Sequence, residues 1–258
     1  MIPDILSPGQ YDTVYNFLSL VIAAQLFTSV FLLISLPRIL PRYRAAITVA
    51  IVVCGIAAYH YFRIFDSFKA AFVTEAAGGQ GDYAQAAGAG FNEGYRYVDW
   101  LLTVPLLLVE LIAVLALARS VQTRLLRGLV PAAALMIILG YPGEISGDNG
   151  VRGLFGLLST IPFLYILYVL FVQLSKSLDR QPASVRATLG RLRYLLPLLD
   201  IAGSDAWVYK QVGYSVADIL AKAVYGLIIF QVARMKSFDD DPGFAAIELS
   251  RDEEPARS

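Results

Sequence analysis

The sequence predicts an all-α membrane protein: a bundle of seven transmembrane helices in which the sixth helix is truncated. Hydrophobic residues make up 57% of the 258 residues and charged residues only 16%. A soluble domain carries about 25% charged residues, so lipid must cover much of this surface. Several apolar runs approach the roughly 20 residues that a helix needs to cross a bilayer. Basic and acidic connections alternate between these runs.

Hydropathy places six helices along the chain. The predicted ranges are 11–36, 44–67, 95–118, 124–142, 153–175 and 207–234. Basic residues follow the first, third, fifth and last of them, as at Arg38, Arg119 and Lys236, whereas acids and glycines follow the others, as at Glu144. Because basic loops stay cytoplasmic, the N-terminus is predicted outside and the C-terminus inside. That topology needs an odd number of crossings.

A further crossing must therefore lie between Arg193 and Asp200. The apolar sequence available for it after the last arginine is the segment YLLPLLDIAG. At about 1.5 Å per residue, this segment covers about half of a bilayer. Extending the helix backwards would bury three arginines, each at a cost of roughly 2.5–3.5 kcal/mol. Either the sixth helix is short or about a dozen residues are missing from this sequence, and we favour missing residues.

The bundle is predicted to occupy residues 1–236, and the acidic, polar tail 237–258 is predicted to be disordered in the cytoplasm. A net charge of zero argues against a nucleic-acid partner. The single cysteine, Cys54, cannot form an internal disulfide. Neither a glycine-rich phosphate loop nor the ligand spacing of a metal site appears in the sequence.

The third helix carries a row of ionisable residues, although such residues are costly inside a membrane and usually functional. At 100° per residue, Asp99 and Glu110 lie about 20° apart around the helix and about 16 Å apart along it. Arg96 and Thr103 share the same face. Glu110 lies nearer the cytoplasm, so the row can exchange protons along the membrane normal.

The last helix places Asp218 and Lys222 one turn apart on one face. A neutral amine in an apolar pocket is the nucleophile that imine formation with a carbonyl compound requires. A protonated imine would need a counterion, which Asp99 and Asp218 can supply. A structural ion pair, an interfacial Glu110 or ordinary packing of Trp100 would each explain one feature, but their joint occurrence favours a functional site.

Five motifs support a resemblance to a known family: RYVDWLLTVP, DILAKAVYG, AYHYFRIFDSF, GYPGEISGD and LSTIPFLYILYVLF. Together they resemble microbial rhodopsins, and more narrowly the proteorhodopsin and xanthorhodopsin-like bacterial proton pumps, from about residue 11 to 236. The resemblance implies a light-driven outward proton pump in the bacterial cell (inner) membrane, an ion transporter and not an enzyme. It also implies all-trans retinal as cofactor, protons and membrane lipids as further partners, and a homo-oligomer.

The resemblance assigns a role to each ionisable residue. Lys222 holds retinal as a Schiff base, and Glu110 is the cytoplasmic proton donor. Asp99 is the primary counterion and proton acceptor, and Asp218 is the second counterion. Arg96 orients the extracellular hydrogen bonds, and Thr103 lies near the acceptor.

Five further residues gain interpretations from the same family. Trp100 would form one wall of the retinal pocket, and Leu107 is typical of green-absorbing members. His60 would pair with Asp99, the alternative being an ordinary core histidine. Gly156 would open a window at which some members dock a carotenoid antenna, the alternative being a helix-contact glycine. Glu144 resembles an outer-loop acid, and we expect a solvated loop charge there instead of proton release.

The sixth helix departs from the family pattern. Family members carry Trp, Tyr and Pro there as the opposite wall of the retinal pocket, whereas only Tyr194 and Pro197 stand between Arg193 and Asp200. Two alternatives to a pump stay open. One is a sensory rhodopsin that signals to a transducer, against which Glu110 counts. The other is a retinal-free transporter or scaffold, which the short sixth helix would favour.

Overall fold

The computed structural model describes residues 2–74, 81–173 and 206–253. Within these ranges six helices are long and apolar enough to cross a membrane, which confirms the prediction of an all-α membrane protein. The predicted sixth helix, with Tyr194, Pro197 and Asp200, lies outside the described residues. The helices of the described part are α1 (Pro8–Ser35), α2 (Arg44–Ala71), α3 (Gly94–Val114), α4 (Arg119–Ile145), α5 (Asn149–Tyr168), α6 (Ala206–Asp218), α7 (Tyr225–Asp240) and α8 (Pro242–Glu253).

The last span, Ala206–Asp240, combines α6 and α7 with a π-helical segment, Ile219–Val224, between them. A second π-helical segment, Val169–Gln173, follows α5, and 3₁₀ turns at Leu36–Arg38 and Pro41–Tyr43 connect α1 to α2. Consecutive helices from α1 to α5 pack side by side, and the last span packs against α1, α2 and α3. The third helix and the last span, which carry the predicted site, are therefore neighbours.

A small sheet covers one end of the bundle, which we call the sheet end. Its strands are β1 (Ile5–Leu6), β2 (Phe72–Val73) and β3 (Tyr83–Gln85), in the order β1-β3-β2 with antiparallel pairing. The sequence analysis does not predict this sheet. The opposite end, where α8 lies, is called the tail end below. Helices α1 and α3 and the last span all begin at the sheet end. Residues further along each of them therefore lie further from the sheet end.

The helix ends follow local chemistry. Ser7 and Gln10 form a reciprocal capping box at the start of α1, with Pro8 in the first turn. Helix α3 ends at Val114, four residues before the predicted end at 118, because Ala116 adopts a left-handed backbone with φ 49°. Asp148 caps α5 by accepting a hydrogen bond from the Val151 amide at 2.9 Å.

The tail differs from the predicted disorder, because α7 continues to Asp240 and α8 follows over Pro242–Glu253. Asp241 caps α8 through the Phe244 amide at 2.9 Å. The side chain of Glu248 is buried and accepts hydrogen bonds from Arg38 at 3.0 Å and from Arg251 at 2.6 Å. The paired charges hold this polar segment against the bundle, which composition alone does not reveal. The division between bundle and tail at residue 236 stays a prediction.

Candidate functional site

The site centres on Lys222, whose side chain is almost wholly buried between two carboxylates. Its Nζ lies 2.9 Å from Asp218 Oδ1 and also donates to Asp99 Oδ2. The residue stands in the π-helical segment Ile219–Val224, a local widening that is frequent at functional sites. The structure thus brings together the amine and both acids that the sequence analysis selected.

Three helices fix Asp218 in place. Tyr61 of α2 donates to Oδ2 at 2.6 Å, and Trp100 of α3 donates to Oδ1 at 3.2 Å. Gln25 of α1 donates to the Asp218 backbone carbonyl at 2.9 Å. Both carboxylate oxygens of Asp218 therefore have neutral donors besides Lys222, and such hydrogen bonds stabilise the charged form in a medium of low dielectric.

The Asp99 carboxylate accepts fewer hydrogen bonds than the Asp218 carboxylate does. Its Oδ1 atom is buried and has no hydrogen-bond partner among the described residues, so only Oδ2 is engaged, by Lys222. Thr103 lies one turn away, but its hydroxyl donates to the Asp99 backbone carbonyl at 2.8 Å and not to the carboxylate. Of the two acids beside Lys222, Asp99 is the one with an unused acceptor atom.

Polar contacts lead from the site towards the sheet end. Arg96 is buried and donates to Gln211 at 2.9 Å, and its guanidinium lies 4.6 Å from the centre of the Tyr214 ring. Gln211 donates to Glu93 at 3.2 Å, and Lys210 lies 3.4 Å from the same carboxylate. These contacts connect the buried interior to partly exposed groups.

Lys210 also pairs with Glu144, the outer-loop acid. The side chain of Glu144 is only 20% exposed, so it is an ion-paired group and not the solvated loop charge expected from the sequence. The ion pair ties the end of α4 to the beginning of the last span.

Glu110 stands alone on the other side of Lys222. It is fully buried on α3, and neither carboxylate oxygen has a hydrogen-bond partner among the described residues. Val114, one turn further along the same face of α3, belongs to an apolar core. Since a charged carboxylate without partners is very costly in such surroundings, Glu110 is suited to hold a proton.

His60 is not joined to Asp99 in the described part of the chain. Its ring is 5.2 Å from that of Tyr59, centre to centre, and its Nδ1 atom is buried without a partner. The hydrogen bond expected between His60 and Asp99 is therefore absent here. Lys222, and not His60, donates to the Asp99 carboxylate in the described part of the chain. The role of His60 stays a prediction.

The three residues predicted to contact the chromophore, Trp100, Leu107 and Gly156, differ in burial and in contacts. Trp100 is half-buried and donates to Asp218, and its role as a pocket wall stays a prediction. Leu107 is half-buried on α3, and no described contact bears on its predicted role. Gly156 is exposed on α5, and a Cβ built there meets no described atom within 4 Å. The helix-contact alternative for Gly156 thus finds no support in the described ranges.

Four groups of the site are not among the residues predicted from the sequence: Gln25, Tyr61, Gln211 and Lys210. Gln25 carried a usable signal, because it is an uncharged polar residue inside a span of mean hydropathy 2.4. Tyr61 follows His60 directly in a motif that was already selected. Gln211 and Lys210 lie near the start of the last span, and only the packing of α3 against that span reveals their partners.

Comparison with known proteins identifies the family. The family described as bacteriorhodopsin-like protein matches residues 13–235. A green-light absorbing proteorhodopsin of Gamma-proteobacterium EBAC31A08 is 32% identical over 125 residues, 48% of this chain and 43% of the relative, so the match spans less than half of that relative. Archaerhodopsin-2 of Halobacterium sp. (strain aus-2) is 30% identical over 195 residues, 71% of this chain and 70% of the relative.

Two solved structures are also similar. Xanthorhodopsin, described as a light-driven ion pump with dual chromophore, is 42% identical with a TM-score of 0.84, covering 93% of this chain and 99% of that chain. A thermophilic rhodopsin is 41% identical with a TM-score of 0.86 and the same coverage. The buried lysine between two acids on facing helices agrees with these matches, and the chain belongs to the bacteriorhodopsin-like family, the microbial rhodopsins.

Proposed function

We propose that the protein is a light-driven outward proton pump. The observation that carries the proposal is the asymmetry around Lys222. Two carboxylates and further polar groups lie on the sheet-end side, and on the tail-end side lies the buried Glu110, whose carboxylate has no hydrogen-bond partner among the described residues. Xanthorhodopsin, a similar protein, is described as a light-driven ion pump. Outward direction and protons as the cargo are our extension to this chain.

Retinal fits the residues that are present. The Lys222 amine is buried, as covalent attachment to an apolar aldehyde requires, and Asp99 Oδ1 is an orphaned buried acceptor beside it. Trp100 and Leu107 would line the pocket, with Lys222 as the point of attachment. Retinal bound there supplies light absorption and a change of shape that alters the surroundings of the Lys222 nitrogen.

The first proton transfer runs from the Lys222 nitrogen to Asp99. Asp218 also contacts that nitrogen, but Tyr61 and Trp100 already donate to its two oxygens. A proton on Asp218 would displace one of these donors, whereas Asp99 can accept the proton at Oδ2, which already contacts the Lys222 nitrogen and has no other donor among the described residues. Asp99 is therefore the acceptor, and Asp218 keeps its negative charge.

The second transfer returns a proton to the Lys222 nitrogen from Glu110. Helix geometry separates Glu110 from Asp99 by about 16 Å along α3, so the two acids serve opposite sides of the nitrogen. Apolar surroundings keep Glu110 neutral, and thus loaded with a proton, until the nitrogen needs it. Protons move outward because acceptor and donor lie on opposite sides of one group.

The sheet end is assigned to the outside and the tail end to the cytoplasm, on the basis of the basic loops. The proton on Asp99 then leaves past Arg96, Gln211 and Glu93, the polar groups that extend towards the sheet end. The isolated Glu110 also favours a pump over a sensor, because a sensor has little need for a dedicated donor.

Illumination of cells or lipid vesicles that contain the protein tests the proposal. With all-trans retinal added, light should acidify the medium of intact cells, and a protonophore should abolish the signal. A visible absorption band should appear only with retinal and should bleach with hydroxylamine. A band without acidification would overturn the pump and favour the sensor, and no band at all would favour the retinal-free transporter or scaffold.

A carotenoid antenna is proposed separately, because Gly156 is exposed on α5 with open space around its Cα among the described atoms. Carotenoid added to the retinal-bound protein should transfer excitation energy to retinal, seen as carotenoid bands in the action spectrum of pumping. Gly156→Trp should fill the space and remove those bands while pumping under direct retinal excitation continues. Equal action spectra for both proteins would contradict the carotenoid site.

A further inference from the structure

A second buried lysine, Lys236, lies at the tail end and takes no part in the proposed proton transfers. Its side chain is only 7% exposed. Its Nζ donates to the backbone carbonyls of Val114 at 3.1 Å and Leu115 at 3.0 Å, which are the last carbonyls of α3. A cation at a helix C-terminus satisfies unpaired carbonyls and opposes the negative end of the helix dipole. Lys236 is therefore a cap that α7 provides for α3.

The end of α3 needs such a cap. Helices commonly end in a left-handed residue that is glycine, whereas here Ala116 takes that conformation with φ 49°. A Cβ makes this backbone conformation unfavourable, so the residue that ends α3 is strained. The hydrogen bonds from Lys236 of α7 offset this unfavourable backbone from outside the helix.

Glu110 lies within the segment that this cap holds. Val114 follows Glu110 by one helical turn, about 6 Å. On the other side, Pro105 lacks an amide hydrogen and interrupts the hydrogen-bond ladder of α3, a common cause of helix bending. The segment from Pro105 to Val114 thus has a weak point at one end and the Lys236 cap at the other. Because Glu110 has no hydrogen bond of its own among the described residues, backbone and packing alone determine its position.

Charged and aromatic groups hold Lys236 in turn. Its Nζ lies 5.1 Å from the centre of the Tyr43 ring, a cation–π contact. The Tyr43 hydroxyl donates to Asp240 at 2.6 Å, and Arg42 lies 2.9 Å from the same carboxylate. The cap is therefore part of a cluster that joins α7, the α1–α2 connection and the end of α3.

We infer that Lys236 is a positioning residue for the proton donor: it holds the tail end of α3 so that Glu110 stays within reach of the Lys222 nitrogen. The inference rests on the proposed function, since it assigns Lys236 to the reprotonation step of that pump. Lys236 itself donates no proton in this step.

Flash spectroscopy of the retinal-bound protein in lipid vesicles tests the inference through the rate at which the Lys222 nitrogen regains its proton. Lys236→Met keeps the aliphatic stem and removes the charged donor. Its reprotonation should slow about tenfold, the equivalent of one charge-assisted hydrogen bond. It should also become dependent on the pH of the medium, because bulk protons then compete with Glu110. Lys236→Arg should restore most of the rate, and Lys69→Met, at an exposed lysine paired with Asp66, should behave like the unaltered protein.

Hydrogen–deuterium exchange gives a readout that does not depend on pumping. In Lys236→Met the backbone amides of residues 112–118 should exchange about tenfold faster, because the cap no longer restrains the end of α3. The Ala116 amide, which donates to the Ala113 carbonyl at 3.1 Å, is the most informative position.

A milder pair of variants decides the question if Lys236→Met forms no pigment. Tyr43→Leu removes the ring under the ammonium and should slow reprotonation about threefold, the size of a cation–π contact. Tyr43→Phe keeps the ring and loses only the hydrogen bond to Asp240, so it should slow reprotonation less than Tyr43→Leu does. Equal rates for these two variants, or a Lys236→Met protein with unchanged rate and exchange, would overturn the inference while the pump stands. Loss of light-driven transport in the unaltered protein would instead overturn the proposed function.

Discussion

The two halves of the bundle on either side of Lys222 treat charge in opposite ways. Towards the sheet end, polar groups form two hydrogen-bonded sets: Asp218 with its donors Tyr61 and Trp100, and Arg96 with Gln211. Towards the tail end, Glu110 is buried among apolar residues with no partner in the described part of the chain. Polar groups joined by hydrogen bonds can pass a proton from one to the next, whereas a buried acid without a hydrogen-bond partner retains its proton.

In the proposed pump, this difference gives the direction of transport without a moving gate. A proton that reaches the polar groups of the sheet-end side can move among several of them and leave. Among the described residues, the acceptor on the path proposed for a proton on Glu110 is the Lys222 nitrogen. Asp99, Glu110, Tyr61 and Ala116 allow the two sides to be altered separately.

The largest expected effect follows from removing the acceptor. Asp99→Asn leaves a side chain of the same size that cannot take a proton, so light-driven acidification should fall by at least about a hundredfold, the contribution typical of a positioned acid or base. The visible absorption should shift to longer wavelength, because the positive charge on the nitrogen loses a nearby carboxylate. Vesicle acidification and an absorption spectrum measure both. The matched control is Asp66→Asn, at an exposed acid on α2, and normal pumping in Asp99→Asn would refute the assignment.

The next effect concerns the isolated side alone. Glu110→Gln removes the donor but keeps shape and burial, so only the return of the proton to the Lys222 nitrogen should slow, by on the order of a hundredfold. Transfer to Asp99 should keep its rate, because the sheet-end side is unchanged. Time-resolved absorption separates the two steps. If both steps slow equally, or neither does, Glu110 is not the donor and the two halves are not independent.

The same contrast explains how far the sequence could be interpreted. Asp99, Glu110, Asp218 and Lys222 are detectable because ionisable residues inside apolar helices are rare, and helical periodicity then places the acids on one face. Contacts between helices are different, since Tyr61 and Gln211 become partners of the site only through packing. The predicted His60–Asp99 contact is absent from the described structure for the same reason.

Helix ends show a similar limit. The sequence predicts α3 to run to 118, because hydropathy continues through Leu117. The observed end at Val114 coincides with the left-handed Ala116 and with a hydrogen bond from Lys236, 122 positions away along the chain. The helical tail likewise depends on the pairing of Glu248 with Arg38. Periodicity reports which face of a helix is apolar, and it carries no information on partners supplied by distant segments.

A smaller effect is expected from the hydroxyl that anchors Asp218. Tyr61→Phe removes one buried hydrogen bond to a carboxylate and leaves the ring, so the free energy of unfolding should fall by about 1.5–3 kcal/mol. Thermal loss of the visible band monitors this change. Tyr59→Phe, two positions earlier and 61% exposed, should change the stability by less than about 0.5 kcal/mol. A Tyr61→Phe protein as stable as its control would mean that Asp218 does not depend on this donor.

The smallest expected effect concerns the backbone at the end of α3, and it has the opposite sign. Ala116→Gly should raise the free energy of unfolding by about 1 kcal/mol, because glycine adopts the left-handed conformation without the Cβ conflict. Ala113→Gly, three residues earlier within the helix, should lower it by about 1 kcal/mol or more, because glycine adds freedom to the unfolded chain and removes a methyl group that packs against the core. The same substitution thus separates the strained end from the regular helix, and thermal denaturation of the two variants measures the difference. If both variants lose stability equally, Ala116 is not strained, and the cap from α7 then has no conformational cost to offset.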